Sequence, residues 1–255
     1  MKKSPVLLSI LFIANLCFCG PAFSLSYYSY DEWGGTWKDA NKSITNPDDD
    51  LLCWAAAASN VLAWTNWGFP QSQTFQNESD IFSYYVQQWP NVGGGAYAAW
   101  SWWFKGQNYD NGVPGGAFWT PTYDFNEYVH VANGDITMPL IANFLHAGYG
   151  VAMELSYQTM GHLVTVWGYE YDSNGNYLGL YLTDSDDSIY GIRYAEMYEI
   201  DGILHLRGAG DPPIYMLNAL AQFPDVAPVP EPSTLLLLST GLAGLGGVAW
   251  RHRKN

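Results

Sequence analysis

Positive charge is what this chain has least of. Its 255 residues carry 10 Lys and Arg against 24 Asp and Glu, a formal charge of −14 at pH 7. Phosphate backbones are bound by clustered cations, so an acid excess of this size excludes nucleic acid as a partner. Cysteine is scarce as well: Cys17, Cys19 and Cys53 are the three present. The first two lie in an apolar N-terminal run, which leaves Cys53 alone in the remainder and excludes a disulfide framework. Aromatic residues are abundant at 16%, including 12 Trp and 19 Tyr, which excludes a disordered chain. The length suits one large domain or two small ones, with enough residues to bury a sizeable core.

The two ends read as processing segments. Lys2 and Lys3 precede an apolar stretch over residues 6–18, and Ala22-Phe23-Ser24 offers small residues for cleavage. That pattern predicts a secretory signal over residues 1–24. At the other end residues 224–232 are proline-rich, residues 234–250 are uncharged and apolar, and Arg251, Arg253 and Lys254 follow. Such a run is long enough to cross a bilayer as a helix with a basic cytoplasmic stop. The order Val229-Pro230-Glu231-Pro232-Ser233, apolar helix, basic end resembles the PEP-CTERM sorting signal. The resemblance implies exosortase-type machinery as a partner for residues 229–255. It also implies delivery to the cell surface or exterior, with transient membrane anchoring by the tail. Residues 25–228 are then the working domain, whose only cations are Lys38, Lys42, Lys105, Arg193 and Arg207.

Asp48-Asp49-Asp50 stand before Leu51-Leu52-Cys53, and Trp54-Ala55-Ala56-Ala57-Ala58 follows. Aspartates suit the N-terminus of a helix, where a side-chain oxygen can cap an amide and a negative charge meets the positive dipole end. The alanines are strong helix formers and let other elements pack closely on every side. Gly68 and Pro70 supply a stop. The spacing therefore predicts a central helix with Cys53 in its first turn. A sulfur there faces unpaired backbone N–H groups, which favour the thiolate and can hold an oxyanion. The neighbouring aspartates work against the thiolate, so a catalytic reading requires a cationic partner. Without one, Cys53 is a buried structural residue.

Histidine supplies that partner. His146 falls in an amphipathic stretch over residues 139–147, and His130 and His205 lack any pattern beyond packing or surface roles. His162 opens Leu163-Val164-Thr165-Val166-Trp167-Gly168-Tyr169, a strand by its β-branched and aromatic content. Asp172-Ser173-Asn174-Gly175-Asn176 is a turn, residues 177–183 return, and Asp184, Ser185 and Asp186 end near the level of His162. A two-residue turn would put His162 and Asp184 on opposite faces. One further loop residue, with glycine in a bulge, restores the parity: His162 then opposes Asp186 or Ser188, with Asp184 its diagonal neighbour. Either carboxylate could orient the ring. The same turn read as a calcium loop has its glycine misplaced and lacks the closing Glu.

Together Lys42, Asp49-Asp50-Leu51-Leu52-Cys53, His162-Leu163-Val164-Thr165-Val166-Trp167-Gly168 and Thr183-Asp184-Ser185-Asp186 resemble the IdeS/Mac family of cysteine endopeptidases. The resemblance implies an α+β, papain-like two-lobed fold, with a central helix packed on an antiparallel sheet. It implies Cys53 as nucleophile, His162 as its partner, Asp184 as the orienting acid and Asp186 as a second family aspartate. Trp37-Lys38-Asp39-Ala40-Asn41-Lys42 matches the family's Trp-x-Asp-x-x-Lys pattern, which implies an oxyanion role for Lys42. No metal or organic cofactor is expected, and the substrate would be a protein or peptide. The family's Cys-Gly is here Cys53-Trp54. Residues 70–135, rich in Trp and Gly, do not follow the family and are expected to form much of the cleft. Two rival classes remain: a related thiol amidase or transglutaminase-like enzyme, and a non-catalytic surface protein that binds through an aromatic platform.

Overall fold

The computed structural model describes residues 23–224 apart from 44, 46, 107–112, 158–159, 187–188 and 209. The signal and tail segments fall almost wholly outside the described residues. Within them the chain is α+β. Strand β1 (Ser24–Tyr28) and a short helix α1 (Ser29–Trp33) lead to three helices: α2 (Cys53–Trp64), α3 (Glu78–Gln88) and α4 (Ala96–Lys105). Strand β2 (Val129–Asn133) and helix α5 (Met138–His146) follow. The remaining strands are β3 (Gly150–Tyr157), β4 (Met160–Asp172), β5 (Tyr177–Thr183), β6 (Arg193–Ile200), β7 (Ile203–Leu206) and β8 (Ile214–Leu220). The eight strands form a sheet in the order β2-β8-β3-β4-β5-β6-β7, with β1 beside the far half of β4. Each pairing is antiparallel.

One face of the sheet carries α2, and all twelve residues of that helix are buried. Its alanines explain how: Ala55, Ala56 and Ala58 are fully covered by the sheet and by α3 and α4, where larger side chains would hold these elements apart. The helix ends at Trp64, before Gly68, whose N–H instead returns to the Leu62 carbonyl at 2.8 Å. On the opposite face α5 packs against a second apolar cluster built from β3, β4, β5 and β8. The sequence predicted this helix over residues 139–147, and its start is sharpened by Thr137, whose side chain caps the Leu140 amide.

The aromatic middle is core. Trp100, Trp102 and Trp103 are fully buried on α4, and their indole N–H groups donate to the carbonyls of Ala58, Val113 and Trp67. Burying an indole without a partner for its N–H is costly, so each ring also fixes a backbone position. The expectation that residues 70–135 form much of the cleft is therefore corrected: their bulky side chains build the helical lobe, and this stretch brings Gly93 and Gly94 to the cleft.

Hairpin β4–β5 has the odd-numbered loop that parity required. Asp172 N–H donates to the Asn176 carbonyl at 2.9 Å across Ser173-Asn174-Gly175, with Gly175 at φ +84°. The Asp172 carboxylate accepts from the Asn174 and Asn176 amides, both at 2.8 Å, so it is spent on closing the turn. Two bulges follow, at Leu178 on β5 and at Trp167 on β4, and they cancel. Beyond them Thr165 opposes Thr183, the register that sets His162 level with Asp186.

A buried polar knot joins the helix to this hairpin. Asn60 of α2 accepts from the Ala40 amide at 2.7 Å and donates to Thr165 Oγ1 at 3.1 Å and Thr183 Oγ1 at 3.5 Å. Thr183 Oγ1 also accepts from Trp167 Nε1 at 3.0 Å and donates to the Lys38 carbonyl at 2.9 Å. Removing Asn60 strands several buried groups at once. Asn60→Ala should lower the unfolding free energy by about 3 kcal/mol in urea titrations, well above the cost of a surface substitution.

Candidate active site

Helix α2 starts at Cys53, three residues beyond a 3-10 turn over Pro47–Asp49. The expected aspartate cap is absent: Leu52 occupies the N-cap position and no side chain bonds the first amides. Asp49 points elsewhere, accepting from the Ser43 amide at 2.8 Å. The Leu52 carbonyl takes the N–H groups of Ala55 and Ala56, so the first turn opens uncapped towards the cleft.

That cleft, about 540 Å³, is lined by Cys53, His162, Asp184 and Asp186, with Trp54, Gly93 and Glu154 on its walls. His162 lies near the start of β4, and Asp184 directly follows β5. Its Nε2 meets Asp184 Oδ1 at 2.7 Å, while Nδ1 faces Asp186 Oδ2 at 3.5 Å. Asp184 is the closer and the more buried, with a side chain 15% exposed against 46% for Asp186. Cys53 lines the same cleft as this imidazole, and its thiol is one of the groups that act on the ring. The structure thus brings together Cys53, His162, Asp184 and Asp186 from three separate segments of the chain.

Charge decides the state of the ring. Burial works to lower the His162 pKa, but its hydrogen bonds with Asp184 and Cys53 and the two carboxylate fields prevail, raising it to about 10. For Asp184 burial works upward, and the bond to His162 together with the His162 and Arg193 charges holds the carboxyl below the usual range. The imidazolium–carboxylate pair is therefore the resting state across neutral pH. Arg193 is the residue the sequence did not place: its guanidinium meets Asp184 Oδ2 at 2.6 Å from the first position of β6. Its signal was the scarcity of cations alone. Asp184 Oδ1 further accepts from the Asp186 amide at 2.9 Å, so the carboxylate is held on both oxygens.

Lys42 is close by. Its Nζ contacts the Asp50 carbonyl at 2.5 Å and Asp186 Oδ1 at 2.6 Å, which ties the loop before α2 to the loop after β5. Asp39 of the same pattern is buried and accepts from the Gly191 amide at 2.7 Å. Trp54 turns into the core: its N–H donates to the Val92 carbonyl at 2.9 Å, and a side chain at Gly94 would meet its ring at 2.7 Å. The indole thereby props Gly93-Gly94 as the opposite wall.

The other described histidines serve elsewhere: His146 with Tyr169 and Glu32, His130 with Tyr149, His205 with the Asp211 carbonyl. His162, Asp184 and Asp186 have donor atoms within 4.8 Å of one another, as a metal site would. The electrostatics oppose that use. Lys42 and Arg193 already neutralise the two carboxylates, and a metal ligand must be a neutral imidazole, whereas this one is held protonated.

Comparison with known proteins agrees with this geometry in part. The family model "Mac 1" matches residues 144–208, a segment that contains His162, Asp184, Asp186 and Arg193 and stops short of Cys53 and Lys42. The PEP-CTERM protein-sorting motif matches residues 228–254, which marks an exported, surface-sorted protein and implies an exosortase-type sorting system. An "IgM protease" of Streptococcus suis (strain P1/7) is 56% identical over 36 residues, 13% of this chain and 3% of that protein. The chain therefore spans a few per cent of the length of that relative.

The raised pKa of His162 gives a signed prediction. Its contribution to stability is complete below the ordinary value of 6.5 and is lost as pH rises through about 10. Asp184→Asn should move the His162 titration downward, read from ring-proton NMR shifts against pH, and flatten the decline in stability over that window.

Proposed function

We propose that the protein is a surface-sorted cysteine endopeptidase of papain-like, two-lobed design, acting through Cys53, His162 and Asp184. The carrying observation is that a thiol at an uncapped helix start and an Asp-held imidazolium line one open cleft. Residues 1–24 would be removed as a signal and residues 229–255 would anchor the chain until sorting, leaving residues 25–228 as the enzyme.

The chemistry follows from the geometry. Cys53 thiolate, paired with the His162 imidazolium, attacks the peptide carbonyl. Nε2 is occupied by Asp184, so Nδ1 is the nitrogen that serves the sulfur and then protonates the leaving amine. Asp184 holds ring orientation and the positive charge. Water then hydrolyses the thioester, with the neutral imidazole as base. The oxyanion would lie at the first turn of α2, where backbone N–H groups converge. Lys42 Nζ has three N–H donors and spends two on Asp50 and Asp186, so one remains for the oxyanion. No metal or organic cofactor enters this scheme.

A thiol-directed electrophile tests the reading at its root. Iodoacetamide should modify Cys53 and abolish peptide cleavage, and Cys53→Ala should be inert. An unreactive Cys53 with no hydrolysis would favour a binding protein; release of ammonia without peptide cleavage would favour the amidase class.

Role assignments separate in kinetics. Asp184→Asn should lose about a hundredfold or more in kcat, against less than about tenfold for Asp186→Asn. Lys42→Ala should lower kcat by roughly a hundredfold with little change in KM, because the oxyanion exists only near the transition state. Lys42→Arg should rescue poorly, since a planar fork replaces a compact donor. Wild-type turnover by Lys42→Ala would leave the residue a structural tie between two loops.

A further inference from the structure

Building on the peptidase reading, we infer that Glu154 is a specificity residue that selects substrates with a Lys or Arg side chain close to the scissile bond. Glu154 lies on β3 opposite Leu163, so its side chain is on the face of the sheet that meets α2. Leu163 and Ala152 on that face are buried core. At Glu154 the core gives way to the cleft, whose wall it forms alongside Gly161 and His162. The carboxylate lies over Gly161: a Cβ built there would stand 2.8 Å from Glu154 Oε1. Glycine immediately before His162 is thus what leaves the acid its place.

This carboxylate is in a different situation from its neighbours. Asp184 is bound by His162 and Arg193, and Asp186 by Lys42 and His162. Among the described residues no cation or hydrogen-bond donor contacts the Glu154 carboxylate, although it is partly buried. Burial pushes its pKa up, with no opposing charge to hold it down. A half-buried acid without a counter-charge costs stability, and the cost is relieved by a ligand cation. The surroundings suit one with a long aliphatic stem: Leu51, Met160 and Tyr157 line the same cleft and offer apolar surface to the methylenes, as lysine and arginine stems require. Arginine and lysine differ from a free metal cation in needing that surface.

The test uses a peptide library in which each position in turn carries Lys, Arg, Gln, Leu or Glu. Wild-type protein should show kcat/KM at least about tenfold higher for Lys or Arg than for Gln at one position near the cleavage point. Glu154→Gln should erase that preference while the Gln and Leu peptides are still cleaved, which also shows that the variant is folded. Glu154→Lys should turn the preference towards Glu. A parallel arm measures binding of the same peptides to Cys53→Ala protein by calorimetry, with and without Glu154→Gln. Cleavage without a basic preference, or equal losses for every peptide in Glu154→Gln, overturns the inference and leaves the peptidase reading intact. Charge-selective binding without any cleavage upholds Glu154 and overturns the peptidase reading. Neither cleavage nor charge-selective binding overturns both.

Discussion

The amide of Asn60 is the contact on which the site depends. It sits two turns after Cys53 on the same helix and reaches β4, β5 and the segment before Lys42 at once. Those three segments also carry His162, Asp184 and the lysine. A hydrophobic helix of alanines could slide along a sheet at little cost, because small apolar side chains specify depth and not position. A buried amide with fixed donors and acceptors cannot slide without breaking its bonds. Thr183 repeats the device one residue before Asp184, accepting from Trp167 and donating to Lys38. The thiol and the imidazole therefore line one cleft because of polar contacts lying beneath them.

Electrostatics give the cleft its second organising rule. The chain spends two of its few cations, Lys42 and Arg193, on the two aspartates beside His162. Asp184 is held below the usual carboxylate range, and the fields of both aspartates act to keep the ring charged. The long-range field of so acidic a protein favours the cationic ring and opposes an anionic sulfur, so a thiolate here would depend on local pairing with that ring. Arg193 belongs to the site through Asp184 and touches no reacting atom, which makes it a positioning residue.

Much of this was legible in the residues themselves. The alanine run announced α2 and placed Cys53 in its first turn; the amphipathic stretch over residues 139–147 marked α5; β-branched and aromatic residues marked β4. What stayed hidden was long-range. Asp48-Asp49-Asp50 looked like capping residues, yet the chain enters α2 through a 3-10 turn that carries their side chains away. The stretch that holds the tryptophans looked like cleft, but a ring whose N–H finds a carbonyl is more stable inside, and only the assembled lobe shows those carbonyls. Arg193 is thirty-one positions from His162 and is brought beside Asp184 by the β5–β6 pairing, a relation no spacing rule encodes.

The hairpin between His162 and Asp184 behaves like a counting device. Its three-residue loop and its two cancelling bulges fix not only how far the strands run but which side each residue shows. A single inserted residue in the turn would leave the hairpin paired and still present Asp184 to the wrong side of the sheet. Two inserted residues, or one with a further bulge, would restore it. Length variation in this turn is thus quantised in even steps, and a relative that gains one residue near Gly175 must carry a matching irregularity elsewhere along β4 or β5.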